Sequence, residues 1–276
     1  MKILITGARG FVGSYLVKHL PSNYNIVAAT RADLDLLNRD AVKSFLEQGQ
    51  FDVVVHAAVE GRDLPHSVNP MLMYNNLQMF FNLADHSDLY GRFINFGCGT
   101  EFDIDVSCTN VSESLIFKQY PKTSYGASKN IISRTCVSLP NFITLRMFGC
   151  LDASESTHRK LPVLQHFIRS LKYYDPDGWA LENDRFFDWF SLHDISVVVD
   201  AVIQGKIPYK DMNLVYDQKY RISEFLQLYC TVHNLDADCL RINSTSETHH
   251  TGDGSKLASC NLPLWGLEQS LKEYGF

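Results

Sequence analysis

The sequence predicts an α/β fold, a doubly wound parallel sheet with a smaller C-terminal lobe. Three observations carry that expectation. Short apolar runs alternate with stretches of helical periodicity over the first 150 residues, a glycine-rich turn follows the first run, and the alternation loosens after Arg146. Near-continuous apolar runs are what strands covered on both faces require.

Residues 2–6 (KILIT) read as a buried strand closed by Gly7, and residues 11–20 follow with helical spacing of Phe11, Val12, Leu16, Val17 and Leu20. A strand at 25–30, a helix at 39–48, a strand at 51–56 and a helix at 71–86 continue the alternation. Strands at 92–96 and 142–146 bracket a helix over 124–138. Past Arg146 come a polar stretch (LDASESTHRK), a helix over 161–173, a break at DPDG and an aromatic segment, RFFDWF. A helix from about 194, a strand at 213–216 and a helix at 222–233 complete the pattern. We therefore expect residues 1–150 to form the sheet domain, with returns near 188–217, and residues 151–276 to form mainly a substrate-binding lobe. No Pro-, Gly- or Ser-rich linker and no repeat divides the chain.

Composition narrows the partners. A 45% hydrophobic and 20% charged chain is ordinary for a globular protein. No apolar run approaches the roughly 20 residues that span a bilayer, so no membrane association is expected. A net charge of -6 lacks the basic field of a general nucleic-acid binder. The seven cysteines are scattered without a C-x-x-C pair and read as reduced thiols of a cytoplasmic protein; no metal site is expected.

Gly7, Gly10 and Gly13 in TGARGFVG lie between the first strand and the first helix. There the first glycine allows a sharp turn, the second lets backbone approach a pyrophosphate, and the third lets helix and strand pack closely. This is the Rossmann arrangement for a dinucleotide, with Phe11 and Val12 opening the helix beside the phosphates. Arg31, just after the second strand, suits the 2′-phosphate of NADP. Asp33 and Asp35 compete for that role, so NADP is expected with NAD as the alternative.

Tyr125 and Lys129 in TSYGASKN are four residues apart on a predicted helix and share one face. A phenol with a pKa near 10 handles protons poorly at neutral pH unless a cation stabilises its anion. The lysine supplies that field. By itself such a pair is also what any surface helix can carry.

The stretches TGARGFVG, FDVVVHAA, YNNL, INFGCGTEFD, TSYGASK, LRMFG and FDWFSLHD make the chain similar to the extended short-chain dehydrogenases/reductases, over residues 1 to about 200. That family holds sugar-nucleotide epimerases, dehydratases and reductases. The resemblance implies that His56, Ala57 and Ala58 line the cofactor groove and that Asn76 supports the site, although His56 can equally be a core histidine. It also implies a Ser or Thr hydroxyl one strand before the tyrosine, where this chain has Cys98, a weaker donor. Thr100 or Thr123 are the alternative hydroxyls. The family's dehydratases carry an Asp-Glu pair where Gly99 and Thr100 stand, which disfavours dehydration.

The segments IVAATRADLDLLNRDAV and AAVEG most resemble NADPH-dependent reductases of 4-keto sugars, so the expected reaction is reduction of a nucleotide-linked sugar. Some of these also epimerise with a cysteine and a histidine. Thr100 falls at the cysteine's place and His158 only near the histidine's. Arg159, Lys160 and Arg185 are candidate cations for the substrate diphosphate. A 4-epimerase and a non-catalytic NADP sensor are the rival expectations, and relatives of this kind often form homodimers through the helix that here carries Tyr125.

Overall fold

The computed structural model describes residues 1–61, 69–103, 108–151, 179–238 and 240–274. The chain runs β1 (Lys2–Thr6), α1 (Phe11–His19), β2 (Asn25–Ala29), α2 (Arg39–Gly49), β3 (Phe51–His56), α3 (Pro70–Ala84) and β4 (Tyr90–Cys98). It continues through β5 (Cys108–Val111), α4 (Ser124–Ser138), β6 (Phe142–Met147), β7 (Cys150–Leu151), β8 (Trp179–Leu181) and β9 (Phe190–Ser191). The C-terminal part adds α5 (Leu192–Ile203), β10 (Asp211–Leu214), α6 (Ile222–His233), β11 (Leu240–Ile242), β12 (His250–Gly252), α7 (Ser255–Ser259) and α8 (Gly266–Glu273).

Six parallel strands form the main sheet in the order β10-β6-β4-β3-β1-β2. Their side chains alternate between two cores, as the two-residue period of a strand dictates. Ile3, Ile5, Val53 and Val55 pack with Leu16 of α1 and Val198 and Val202 of α5. Leu4 and Val54 pack with Val42 and Leu46 of α2, Phe80 and Leu83 of α3 and Ile132 of α4. The sheet is therefore covered on both faces.

The order reverses between β1 and β3, so the carboxyl ends of these two strands open a crevice. Thr6 pairs with His56 and His56 with Asn95 across that end of the sheet.

Local signals set the helix boundaries. Asn38 accepts from Ala41 N at 3.0 Å to start α2, and Asn69 caps α3 ahead of Pro70. Ser191 caps α5 by accepting from Asp194 N at 3.1 Å, so that helix begins at Leu192, two residues before the expected start. β4 outgrows the expected 92–96 because it is laddered on both sides, from Phe51↔Tyr90 to Cys98↔Met147. β10 starts at Asp211, earlier than expected, where its carboxylate meets Arg146.

α5 and β10 return the chain to the sheet. A third core of Leu151, Leu181, Trp189, Phe225, Tyr229 and Leu271 lies in the C-terminal part, where the small pairs β7-β9, β8-β11 and β5-β12 were not anticipated. The expected helix over 161–173 lies outside the described residues. Among the described residues, no helix is long and apolar enough to cross a membrane.

Candidate active site

The turn after β1 is built around three glycines with separate tasks. Gly7 adopts φ +67°, and a Cβ there would come within 2.6 Å of Ala58 N and 2.7 Å of Ala57 O. A Cβ on Gly13 would lie 2.3 Å from Gly7 O, so α1 packs against the turn only because this residue has none. Gly10 differs: among the described residues, a Cβ there would meet just Gly7 O, at 3.1 Å. Its bare backbone faces open space at the start of α1, where no side chain caps the first turn. The N–H groups of such a helix start suit a phosphate.

That turn forms one wall of a cavity of about 390 Å³, within the range of small-ligand pockets. Gly7, Gly10, Phe11 and Val12 line it from the turn, Thr30 and Arg31 from the end of β2, and His56, Ala57 and Ala58 from the end of β3. Cys98 at the end of β4, Tyr125 and Lys129 on α4, Met147 at the end of β6, and Phe148 and Cys150 just beyond it line the same space. The structure thus gathers eleven of the sequence-predicted residues on one wall system, from Gly7 to Lys129.

α4 carries the Tyr125 and Lys129 pair. Thr123 caps it, accepting from Gly126 N at 3.1 Å. A Cβ on Gly126 would sit 2.5 Å from Thr100 O, so this glycine lets the helix start close against the loop after β4. Both Tyr125 and Lys129 are 5% exposed, and Lys129 Nζ donates to Phe96 O at 2.9 Å. Ser128 Oγ donates to Tyr125 O at 2.8 Å.

His56 is buried, with Nδ1 2.9 Å from Thr6 Oγ1. Burial, assisted by the Lys129 charge, pushes its pKa down to about 3, so the imidazole is neutral. It therefore serves both readings, lining the cavity while tied into the sheet. Asn76 is buried on α3 and lies off the cavity wall. Its Oδ1 accepts from Glu60 N at 2.8 Å and its Nδ2 donates to Glu60 O at 3.1 Å, so it shapes the loop that follows β3.

The alternative hydroxyls do not reach the wall. Thr100 Oγ1 is buried and has no hydrogen-bond partner among the described residues, and Thr123 is engaged as the helix cap. Gly99 has no room for a side chain, since a Cβ would meet His250 Nε2 at 2.5 Å and Phe148 at 2.6 Å. Arg185 is half-buried with its guanidinium 5.9 Å from the Phe187 ring, off the cavity wall. His158, Arg159 and Lys160 lie outside the described residues.

Sequence reasoning missed the support beneath this wall. Glu101, fully buried, accepts from Cys98 N and from Ser133 Oγ of α4, each at 2.8 Å, through Oε1. Its Oε2 pairs with Arg146 Nε of β6 at 2.7 Å, and Arg146 reaches Asp211 of β10 at 3.0 Å. Asn130 of α4 donates to Glu101 O at 2.9 Å. One carboxylate thus ties together the three elements that bring Cys98, the Tyr125 helix and Met147 to the cavity. Its sequence signal was slight, one glutamate among the other polar residues of GCGTEFDID.

A family model described as the NAD dependent epimerase/dehydratase family matches residues 3–173. GDP-L-colitose synthase of Yersinia pseudotuberculosis is 27% identical over 131 residues, 46% of this chain and 42% of the relative. The match thus spans less than half of that relative's length. GDP-6-deoxy-D-talose 4-dehydrogenase of Aggregatibacter actinomycetemcomitans is 26% identical over 243 residues, 84% of this chain and 80% of the relative. Among solved structures, a GDP-mannoheptose C4 reductase from Campylobacter jejuni with NADP bound superposes with a TM-score of 0.80 at 22% identity, covering 99% of this chain and 96% of that one. At that identity the likeness is one of fold.

Proposed function

The chain belongs to the NAD dependent epimerase/dehydratase family, and from that premise we propose that it reduces the ketone of a nucleotide-linked sugar with NADPH. The observation that carries this reading is the shared cavity, in which Tyr125, Lys129 and Cys98 face the same space as the Gly7–Gly10 turn. The open face of Gly10 and the uncapped start of α1 fit a pyrophosphate, and Arg31 on the wall fits a 2′-phosphate.

Bound there, NADPH supplies a hydride to the ketone carbon. Tyr125 donates a proton to the ketone oxygen, and Lys129, one helical turn away, stabilises the phenolate left behind. The carbonyl of Phe96 holds the lysine in place. Cys98 offers a second, weaker donor to the same oxygen. Phe96, Met147 and Phe148 make that end of the cavity apolar, which strengthens the lysine's field.

Residues 151–276 form mainly the substrate lobe in this reading, apart from the returns of α5 and β10 to the sheet, with Arg185 among the cations for the diphosphate. The wedge of His250 and Phe148 at Gly99 supports reduction over dehydration, because no acid fits where a dehydratase needs one. The 4-position named for the talose and mannoheptose relatives makes a 4-keto sugar the first substrate to try. Purified protein mixed with NADPH and a panel of 4-keto sugar nucleotides should oxidise the cofactor with at least one member. Unchanged absorbance with every member contradicts the proposal.

A further inference from the structure

An acid placed just after β2 decides which dinucleotide a crevice of this kind accepts, because its carboxylate bonds the adenosine ribose hydroxyls and repels a phosphate there. Asp33 stands within reach of that place in the sequence, yet the fold turns it away. β2 ends at Ala29, and the next residues close a tight turn. Thr30 O accepts from Asp33 N and from Leu34 N, each at 3.0 Å. In return, Asp33 Oδ2 accepts from Thr30 N at 2.9 Å and from Thr30 Oγ1 at 2.6 Å.

The consequence shows on the cavity wall, where Thr30, Arg31, Leu34 and Asp35 appear and Asp33 does not. Asp35 lies beyond the turn on the same wall, with Oδ1 accepting from Leu37 N at 3.1 Å. Arg9 of the glycine turn also attracts the Asp33 carboxylate. Arg31 pairs with no carboxylate among the described residues.

We infer that Thr30 is a specificity-determining residue for the dinucleotide. By donating twice to Asp33, it keeps that carboxylate in the turn and leaves the ribose edge to Arg31, which favours a 2′-phosphate. The inference rests on the NADPH-dependent reading above and adds the residue that enforces it. Arg31 supplies the attraction, while Thr30 removes the repulsion that would otherwise offset it.

The test is equilibrium binding of NADPH and NADH to the full-length protein, followed by quenching of tryptophan fluorescence, so no sugar substrate is needed. Thr30→Val removes the hydroxyl and loosens the clasp, and the ratio of NADPH to NADH affinity should fall roughly tenfold as a like charge gains access to the ribose edge. Thr30→Ser should retain the wild-type ratio. Adding Asp33→Asn to Thr30→Val should restore it, and Asp33→Asn alone should bind NADPH at least as tightly as wild type. Thermal unfolding of each variant verifies folding, and Asp33→Asn keeps the inference open to refutation if Thr30→Val does not fold. An unchanged ratio in Thr30→Val, or weaker NADPH binding in Asp33→Asn, overturns the role of Thr30 while leaving the NADPH reading intact. A wild-type protein that binds neither dinucleotide overturns both.

Discussion

Glu101 and Arg146 form a fully buried ion pair, 2.7 Å between Oε2 and Nε, behind the wall that carries Cys98. Removing one member leaves the other charge buried without its partner, which costs about 3–5 kcal/mol. Glu101→Ala should therefore unfold at markedly lower urea concentration than wild type. The triple variant Glu101→Leu, Arg146→Met, Asp211→Asn should recover much of that loss, because it removes the desolvated charges of the pair together with that of Asp211, which also faces Arg146. Equilibrium denaturation of the three proteins checks the order.

Gly7 and Gly10 separate folding from binding. Gly7→Ala forces a methyl against the Ala57–Ala58 backbone and strains φ at +67°, so its melting temperature should drop. Gly10→Ala meets only Gly7 O at 3.1 Å and should melt near wild type, yet its methyl fills the space a pyrophosphate needs. Calorimetric titration with NADPH should detect no binding to a folded Gly10→Ala protein.

Local patterns made the first half of this chain legible. The glycine spacing of 7, 10 and 13, the strand-helix alternation and the Tyr125 to Lys129 interval each lie within one element or one turn, and the structure assembles them on one cavity. The Glu101, Arg146 and Asp211 cluster was not legible, since Glu101 and Asp211 lie 45 and 65 residues from Arg146 in sequence and meet it only in three dimensions. Two-residue strands such as Cys150–Leu151 and Phe190–Ser191 are too short to show a period, so their pairing emerges only in three dimensions. Asp33 was readable as a candidate acid, but not the side-chain bonds from Thr30 that turn it away.

His250 packs beside Phe148 and Phe187, and burial lowers its pKa from 6.5 to about 4, with help from Arg185. Below pH 6.5 the unfolded chain takes up a proton that the folded one refuses, so this histidine's contribution is intact above pH 6.5 and is lost as pH falls towards about 4. His250→Gln should reduce the slope of unfolding free energy against pH in that window by about 1.4 kcal/mol per unit. Asp188, raised by burial to about 6, works in the opposite sense, so Asp188→Asn should steepen the slope. Urea titrations across the window measure both.

Cys98 lines the cavity at the position where the family resemblance implies a Ser or Thr hydroxyl. Cys98→Ser should turn over at least as fast as wild type, because a hydroxyl is the better donor. Cys98→Ala should lose roughly three- to tenfold in kcat, the worth of one neutral hydrogen bond. Steady-state rates with the accepted sugar nucleotide decide between them.

Reduction at this site depends most on the phenol of Tyr125 as the proton donor. Turnover of NADPH with a 4-keto sugar nucleotide, measured for wild type and Tyr125→Phe alongside NADPH affinity, tests this most directly. The predicted result is a kcat lower by about 10²- to 10⁴-fold with cofactor affinity unchanged. A Tyr125→Phe protein that keeps wild-type turnover contradicts the account.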